Sequence, residues 1–324
     1  MTTEISGDRV LVTGATGFIG RHLVALLLGQ DYHVTALIMP HDPLAGIFPE
    51  HVQRLVGDLT IPASVSQALR EAAPDCIFHL AGLARGQDLR QLLEVNVLGT
   101  QTLLEAAASL SPPPKVVLPG SASEYGLLNG NIPVTETACL RPVSAYGISK
   151  AAQTLLALSY AHRRQLHVMV GRIFNLTGPG EPTSMLCGSV AAQLAAIEAG
   201  EQPPVLGVGN LSPIRDYLDV RDVVRALWRL ALHGSPGEAY NICSGEGRQI
   251  AVVVWQMLEL LPRSVTLKTD PERHRSADIP YCVGNSHHLH VVTGWQPEVL
   301  FEESVQRTFA WWRRARVTGL ATPI

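Results

Sequence analysis

The sequence predicts an α/β fold: a doubly wound parallel sheet with a smaller, discontinuous second domain. Three observations carry this. Through residue 175, short β-type runs alternate with stretches of helical period, the pattern of βαβ units. A glycine-rich turn lies between the first strand and the first helix. Beyond residue 175 the regular alternation ends, and Pro and Gly cluster at 178–182, 200–213 and 234–247.

The elements follow in order. Strands are expected over 9–13, 33–38, 52–56, 75–80, 115–118 and 167–173. Helices are expected over 18–28, 63–73 and 145–164. A single long helix over about 87–109 is closed by Ser111-Pro112-Pro113-Pro114. In the second half, helices are read at 188–199 and about 219–232, and 262–297 as short strands and loops. Trp311-Trp312-Arg313-Arg314 close a C-terminal amphipathic helix. The expected division assigns 1–175 and about 214–243 to the first domain. The smaller domain takes about 176–213 and 244–324 and sits over the carboxyl edge of the sheet, where ligands of such sheets bind.

Composition excludes several classes. A formal charge of −3 lacks the basic footprint of a nucleic-acid binder. Five widely spaced cysteines without a CxxC pair argue against a disulfide framework and a zinc site. His287, His288 and His290 lie in a segment without helical ligand spacing, so no metal is expected. The opening residues lack the apolar core of a secretory signal. The longest apolar stretch, 250–261, contains Gln256 and Glu259 and is too short to span a bilayer. A soluble cytoplasmic protein is expected.

The glycine-rich turn reads Thr13-Gly14-Ala15-Thr16-Gly17-Phe18-Ile19-Gly20. Gly14 permits the tight turn, Gly17 lets the backbone approach a pyrophosphate, and Gly20 lets helix and strand pack closely. The helix N-terminus then offers N–H groups and partial positive charge to the phosphates. The strand-before, helix-after context suits a Rossmann dinucleotide site and disfavours an ordinary turn. At the end of the second strand, Ala36-Leu37-Ile38-Met39-Pro40 supplies no acid, the feature that ordinarily excludes a 2′-phosphate. NADP(H) is therefore favoured, with NAD(H) possible. Asp58, ahead of Leu59, is placed to bind adenine or, equally well, to cap a turn.

Tyr146-Gly147-Ile148-Ser149-Lys150 places a phenol and an ammonium one helical turn apart on one face. A phenol that ordinarily titrates near 10 is a poor acid–base group at neutral pH, and an ammonium nearby favours its phenolate. Tyr146 could then exchange a proton with a hydroxyl or ketone. Ser121, at the end of the fifth strand, is placed to hydrogen-bond the reacting oxygen; the bland alternative for Ser121 and Ser123 is a turn cap.

Together with His79-Leu80-Ala81-Gly82, Asn96-Val97-Leu98-Gly99-Thr100 and Tyr125-Gly126, these motifs resemble extended short-chain dehydrogenase/reductases. The likeness continues through Arg172-Ile173-Phe174-Asn175, Gly178-Pro179-Gly180-Glu181-Pro182, Arg215-Asp216-Tyr217-Leu218-Asp219, Tyr240-Asn241-Ile242-Cys243-Ser244-Gly245 and Thr293-Gly294-Trp295-Gln296-Pro297, so it spans nearly the whole chain.

The resemblance implies that Ser121, Tyr146 and Lys150 are catalytic. It implies that Gly14, Thr16, Gly17, Phe18, Ile19, Asp58, Leu59, Leu80, Ala81, Gly82, Tyr146 and Lys150 line the cofactor. The substrate would touch Ser121, and Asn175, Arg215 and Arg275 would hold its diphosphate. Arginine forks match phosphate oxygens; the alternatives are an ion pair of Arg215 with Asp216, Asp219 or Asp222, and a solvated charge for Arg275. A homodimer through helices 87–109 and 145–164 is implied as well.

Within the family, members that reduce the C4 ketone of a GDP-linked 4-keto-6-deoxyhexose are the nearest in pattern. Sugar dehydratases carry an acid where this chain has Ser123, preceded by Ala122, and Glu124, one place later, is expected to face elsewhere. Two alternatives stay open: a nucleotide-sugar 4-epimerase using the same triad, and a catalytically idle cofactor-binding scaffold.

Overall fold

The computed structural model describes residues 7–84, 88–128, 130–273 and 279–318. The first half runs β1 (Arg9–Thr13), α1 (Phe18–Leu28), β2 (His33–Ile38), β3 (Gln53–Val56), α2 (Pro62–Ala72), β4 (Cys76–His79), α3 (Leu89–Leu92), α4 (Gly99–Ala108), β5 (Lys115–Ser121), α5 (Ala145–Arg163) and β6 (Val168–Ile173). The second half adds β7 (Asn175–Thr177), α6 (Leu186–Glu198), β8 (Val205–Val208), β9 (Ile214–Asp219), α7 (Val220–His233), β10 (Ala239–Ile242), β11 (Gly247–Gln249), α8 (Ile250–Leu258), β12 (Thr266–Thr269), β13 (Tyr281–Cys282), α9 (His287–Thr293) and α10 (Phe301–Thr318).

Seven parallel strands form the main sheet in the order β3-β2-β1-β4-β5-β6-β10. The chain winds from β1 outward to β3, then returns to β4 and winds the other way. Strand alternation decides which layer each residue enters. Val10, Val12 and Phe78 pack under α1 and α7 with Leu23, Leu27, Val223 and Leu227. Leu11, Ile77, Val116 and Leu118 pack on the opposite face with Val65 and Leu69 of α2, Leu103 and Leu104 of α4 and Ala157 of α5. Burial on both faces is why these strands read as continuous Val/Ile/Leu runs.

Two smaller sheets stand apart from the main one. β9 lies between β11 and β13 and also pairs with β7, and β8 pairs with β12. Beneath them α6, α8 and α10 bury Val190, Leu194, Val253, Met257, Val305, Phe309 and Trp312.

Two expectations need correction. The long helix over 87–109 is not continuous. Leu93–Leu98 is a π-helical stretch between α3 and α4, and it turns Asn96 inward, fully buried. Such a widened turn is invisible to a 3.6-residue periodicity. The segment 262–297 also holds a helix, α9, that carries His287, His288 and His290. It opens where Asn285 Oδ1 accepts from His287 N at 2.8 Å, and it stops at Gly294 in the left-handed conformation. Three polar histidines diluted its apolar pattern; His288 faces Glu238 and His290 faces the Trp295 carbonyl.

Candidate active site

The glycine turn, Leu80–Gly82 and Ser121 lie at the carboxyl ends of β1, β4 and β5, where the winding of the sheet reverses, the place at which such sheets leave a ligand crevice. The glycine turn leads from β1 into α1. Gly14 has φ +63°, and a Cβ there would lie 2.7 Å from the Ala81 nitrogen; a Cβ on Gly20 would lie 2.1 Å from the Gly14 carbonyl. Leu80, Ala81 and Gly82 therefore lie against the turn, tied by Ala81 N–H donating to Thr13 Oγ1 at 3.0 Å. Helix α1 begins at Gly17 with no side-chain cap and no acid in its first turn. Its N–H groups and dipole fit an anion such as a dinucleotide pyrophosphate. Phe18 and Ile19 pack on the core beside it, and Leu59 packs against Gly99.

Ser121 ends β5, and Tyr146 and Lys150 stand on the first turns of α5. Helix and strand end are pressed together: a Cβ on Gly147 would lie 2.5 Å from the Ser123 carbonyl oxygen. That contact brings the half-buried Tyr146 to the Ser121 turn. Ser121 Oγ accepts from Ser123 N–H at 3.1 Å, so its own proton remains available to donate to another oxygen. Lys150 is buried and donates to the Pro119 carbonyl at 2.5 Å and to Gln153 Oε1. Burial pulls its pKa down to about 8, and the Glu124 carboxylate opposes the fall. At neutral pH it is still mostly an ammonium.

A polar chain missed by the sequence reading supports Lys150. Gln153 Nε2 donates to Thr100 Oγ1 at 2.7 Å, and Thr100 donates to the Asn96 carbonyl at 2.6 Å. His79 Nε2 lies 2.9 Å from Thr100 Oγ1, and His79 Nδ1 lies 2.8 Å from Thr13 Oγ1. With the Thr100 proton committed to Asn96, His79 must donate through Nε2 and accept from Thr13 through Nδ1. Burial, helped by the Lys150 charge, drives the His79 pKa down to about 3, so the ring is neutral. Asn96 meanwhile donates to Ser149 Oγ at 3.0 Å and to the Leu83 carbonyl at 3.1 Å. The signal was His79 and Thr100 inside otherwise apolar elements.

Glu124 is buried. Its Oε2 accepts from Arg172 Nε at 2.9 Å, and its Oε1 from Ser121 N–H at 2.7 Å. Ser121 thus makes the turn cap that was its alternative reading, and with Glu124 it forms a Ser-x-x-Glu capping box.

Asn175 and Arg215 lie on the small sheet. Asn175 starts β7 and donates to the Asp216 carbonyl at 3.1 Å. Arg215 is buried on β9, with Nη1 donating to the Ile214 carbonyl at 2.9 Å. The neighbouring carboxylates are engaged by other groups. Asp216 accepts from Ser244 N, Ser244 Oγ, Gly245 N and Gly284 N; Asp219 pairs with Arg221 at 2.8 Å; Asp222 pairs with Arg225. Arg275 lies outside the described residues. Asp58, at the far edge beyond β3, accepts from Thr60 N at 2.8 Å and Thr60 Oγ1 at 2.7 Å, the turn-capping alternative. The loop after β2 holds an unforeseen contact: Thr16 Oγ1 donates to Asp42 Oδ2 at 2.7 Å, which places a carboxylate at the glycine turn.

Residues 11–308 match the model of the family described as GDP-mannose 4,6 dehydratase. The chain is 32% identical to the GDP-6-deoxy-D-mannose reductase of Pseudomonas aeruginosa, over 94% of this chain and 97% of that one. It is 29% identical to the UDP-glucose 4-epimerase of Mycolicibacterium smegmatis, over 94% and 98%. Among solved structures, RMD from Pseudomonas aeruginosa complexed with NADPH superposes with TM-score 0.83 at 31% identity, covering 95% of this chain and 99% of that one. The UDP-glucose 4-epimerase of Thermus thermophilus complexed with NAD also gives 0.83, at 30% identity and coverage of 95% and 99%.

Proposed function

This chain belongs to the GDP-mannose 4,6-dehydratase family, and on that premise we propose that it is an NAD(P)H-dependent reductase of the C4 ketone of a nucleotide 4-keto-6-deoxyhexose. The first-choice reaction takes GDP-4-keto-6-deoxy-D-mannose to GDP-D-rhamnose. The observation that carries the reading is the set of Ser121, Tyr146 and Lys150 at the crevice, with neutral Ala122 and Ser123 beside it, in a chain whose relatives include a GDP-6-deoxy-D-mannose reductase. With Ser123 where dehydratases carry an acid, dehydration of the sugar is not expected.

The glycine turn, the uncapped N-terminus of α1 and Leu80–Gly82 would hold the dinucleotide, NADP(H) or NAD(H). When bound, the nicotinamide supplies the hydride. Tyr146 donates its proton to the ketone oxygen as negative charge develops there. Ser121 hydrogen-bonds the same oxygen; a donor so placed is worth about 2.7–4 kcal/mol in comparable oxyanion sites. Lys150, held by Pro119 and Gln153, stabilises the phenolate left on Tyr146. Asn175 and Arg215 hold the diphosphate, so remote binding energy positions the ring. Arg275 is proposed for the same diphosphate, and Asp58 and Leu59 for the adenosine end.

We further propose a cytoplasmic homodimer formed through α4 and α5, with residues 1–175 and about 214–243 binding the dinucleotide and about 176–213 and 244–324 binding the nucleotide sugar. A monomeric mass by light scattering at micromolar concentration would exclude the dimer. Among the described residues no helix is long and apolar enough to cross a membrane. The reaction is tested by stoichiometry: one NADPH should be oxidised for each keto sugar consumed. Interconversion of UDP-glucose and UDP-galactose without NADPH consumption would instead identify a 4-epimerase.

A further inference from the structure

Glu124 takes no part in the chemistry above, yet it is fully buried beside the groups that do. Its two carboxylate oxygens join three elements. Oε1 accepts from Ser121 N–H at the end of β5 and from Thr154 Oγ1 of α5 at 3.0 Å, and Oε2 accepts from Arg172 of β6. Thr154 lies one helical turn beyond Lys150. We propose that Glu124 is a positioning residue of the active site: its carboxylate, anchored by Arg172, ties the Ser121 backbone to α5 one turn from Lys150 and lies against Gly120, next to the Pro119 carbonyl to which Lys150 donates. The proposal rests on the reductase reading only for the identity of the reacting groups.

The charges around the pair support this. Burial pushes the Glu124 pKa up, and Arg172, Lys150 and the Ser121 N–H oppose it. Arg172 is held in turn by Tyr125 Oη at 3.1 Å and the Glu136 carbonyl at 3.1 Å, and Tyr125 donates to Asn241 Oδ1 at 2.6 Å. Glu124, from the turn after β5, and neutral His79, from β4, are the titratable groups that interact with Lys150. Glu124 is the carboxylate that acts to keep its ammonium charged. A buried ion pair contributes little net stability compared with an apolar pair of similar volume. The hydrogen bonds of Glu124 to Ser121 N–H and to Thr154, one turn from Lys150, therefore point to a role in the site.

Glu124→Gln preserves the shape and removes the charge. The readout is the Lys150 13Cε shift, titrated in lysine-labelled protein without substrate. The wild-type midpoint near 8 should fall by about one unit in the variant. The high-pH limb of kcat should move down with it. If the buried Arg172 left behind prevents folding, Glu124→Gln with Arg172→Met is titrated instead, and its Lys150 midpoint should also lie below the wild type. An unchanged Lys150 midpoint overturns the proposal, whatever the substrate. Loss of NADPH oxidation in the wild type, with the Lys150 shift intact, would overturn the reductase reading and leave this one standing.

Discussion

Replacing Gly147 with alanine tests how closely α5 must approach the Ser121 turn. Two effects oppose each other. In a helix interior alanine is favoured over glycine by about 1 kcal/mol, and the Gly147 backbone is helical, so no conformational strain arises. Against this, the new Cβ would sit 2.5 Å from the Ser123 carbonyl oxygen, about 0.9 Å short of the 3.4 Å at which ordinary contact begins. That oxygen is backbone, on a turn pinned by the Ser121–Glu124 capping box, so it cannot swing aside. The helix must move instead. Overpacking of this kind costs about 1–3 kcal/mol, so the net effect is expected to be destabilising. The displacement carries Tyr146, and a misplacement of about 1 Å can cost about 10²-fold in rate. Urea unfolding gives the stability, and steady-state kcat with the keto sugar and NADPH gives the activity. A variant as stable and as active as the wild type would refute the reasoning.

Tyr146→Phe keeps the ring and removes the proton, so turnover should fall about 10²–10⁴-fold while NADPH titration by fluorescence shows binding retained. Glu181 is buried, accepts from Thr177 Oγ1 at 2.6 Å and has its pKa raised from 4.5 to about 7 by burial. A raised acid contributes stability that is present below pH 4.5 and lost as pH climbs to about 7, a span of about 3 kcal/mol, and Glu181→Gln should flatten that slope in urea titrations across this range. With no acid ending β2, NADPH should serve at least as well as NADH. Asp42, bound to Thr16, is the acid placed to oppose it, so Asp42→Asn should raise the NADPH-to-NADH ratio of kcat/KM about tenfold, while a wild-type preference of about a hundredfold for NADH would contradict the first statement. At equal concentration GDP-sugars should raise thermal stability more than UDP-, dTDP- or CDP-sugars do; a GDP-sugar at a hundred times its Kd should stabilise by about 2.7 kcal/mol.

Six of the seven strands of the main sheet were legible as short β-type runs bounded by turn residues; β10, Ala239–Ile242, lies among the Pro/Gly clusters of the second half and joins the sheet only by pairing with β6. The places of Ser121 at the end of β5 and of Tyr146 and Lys150 on α5 were legible because strand and helix patterns mark those elements. What was hidden depends on the third dimension. The π-helical stretch at Leu93–Leu98 adds one residue to a turn and leaves no periodic trace, yet it delivers Asn96 to Ser149. Gln153, Thr100 and His79 are far apart in sequence and meet only once α4, α5 and β4 pack. Asp42 reaches Thr16 through His41 in a left-handed conformation, which no strand pattern foretells. Strand alternation does not reach Glu124, which lies in a 3-10 turn, Ala122–Glu124, and its carboxylate returns to Ser121 N–H.

The reductase reading is tested most directly by following the hydrogen itself. GDP-4-keto-6-deoxy-D-mannose is incubated with the protein and NADPH deuterated at the transferable C4 position, and the sugar product is analysed by NMR. The expected result is a GDP-6-deoxyhexose carrying one deuterium at sugar C4, formed at the rate at which NADPH absorbance is lost. Recovery of the keto sugar unlabelled, with NADPH untouched, would contradict it.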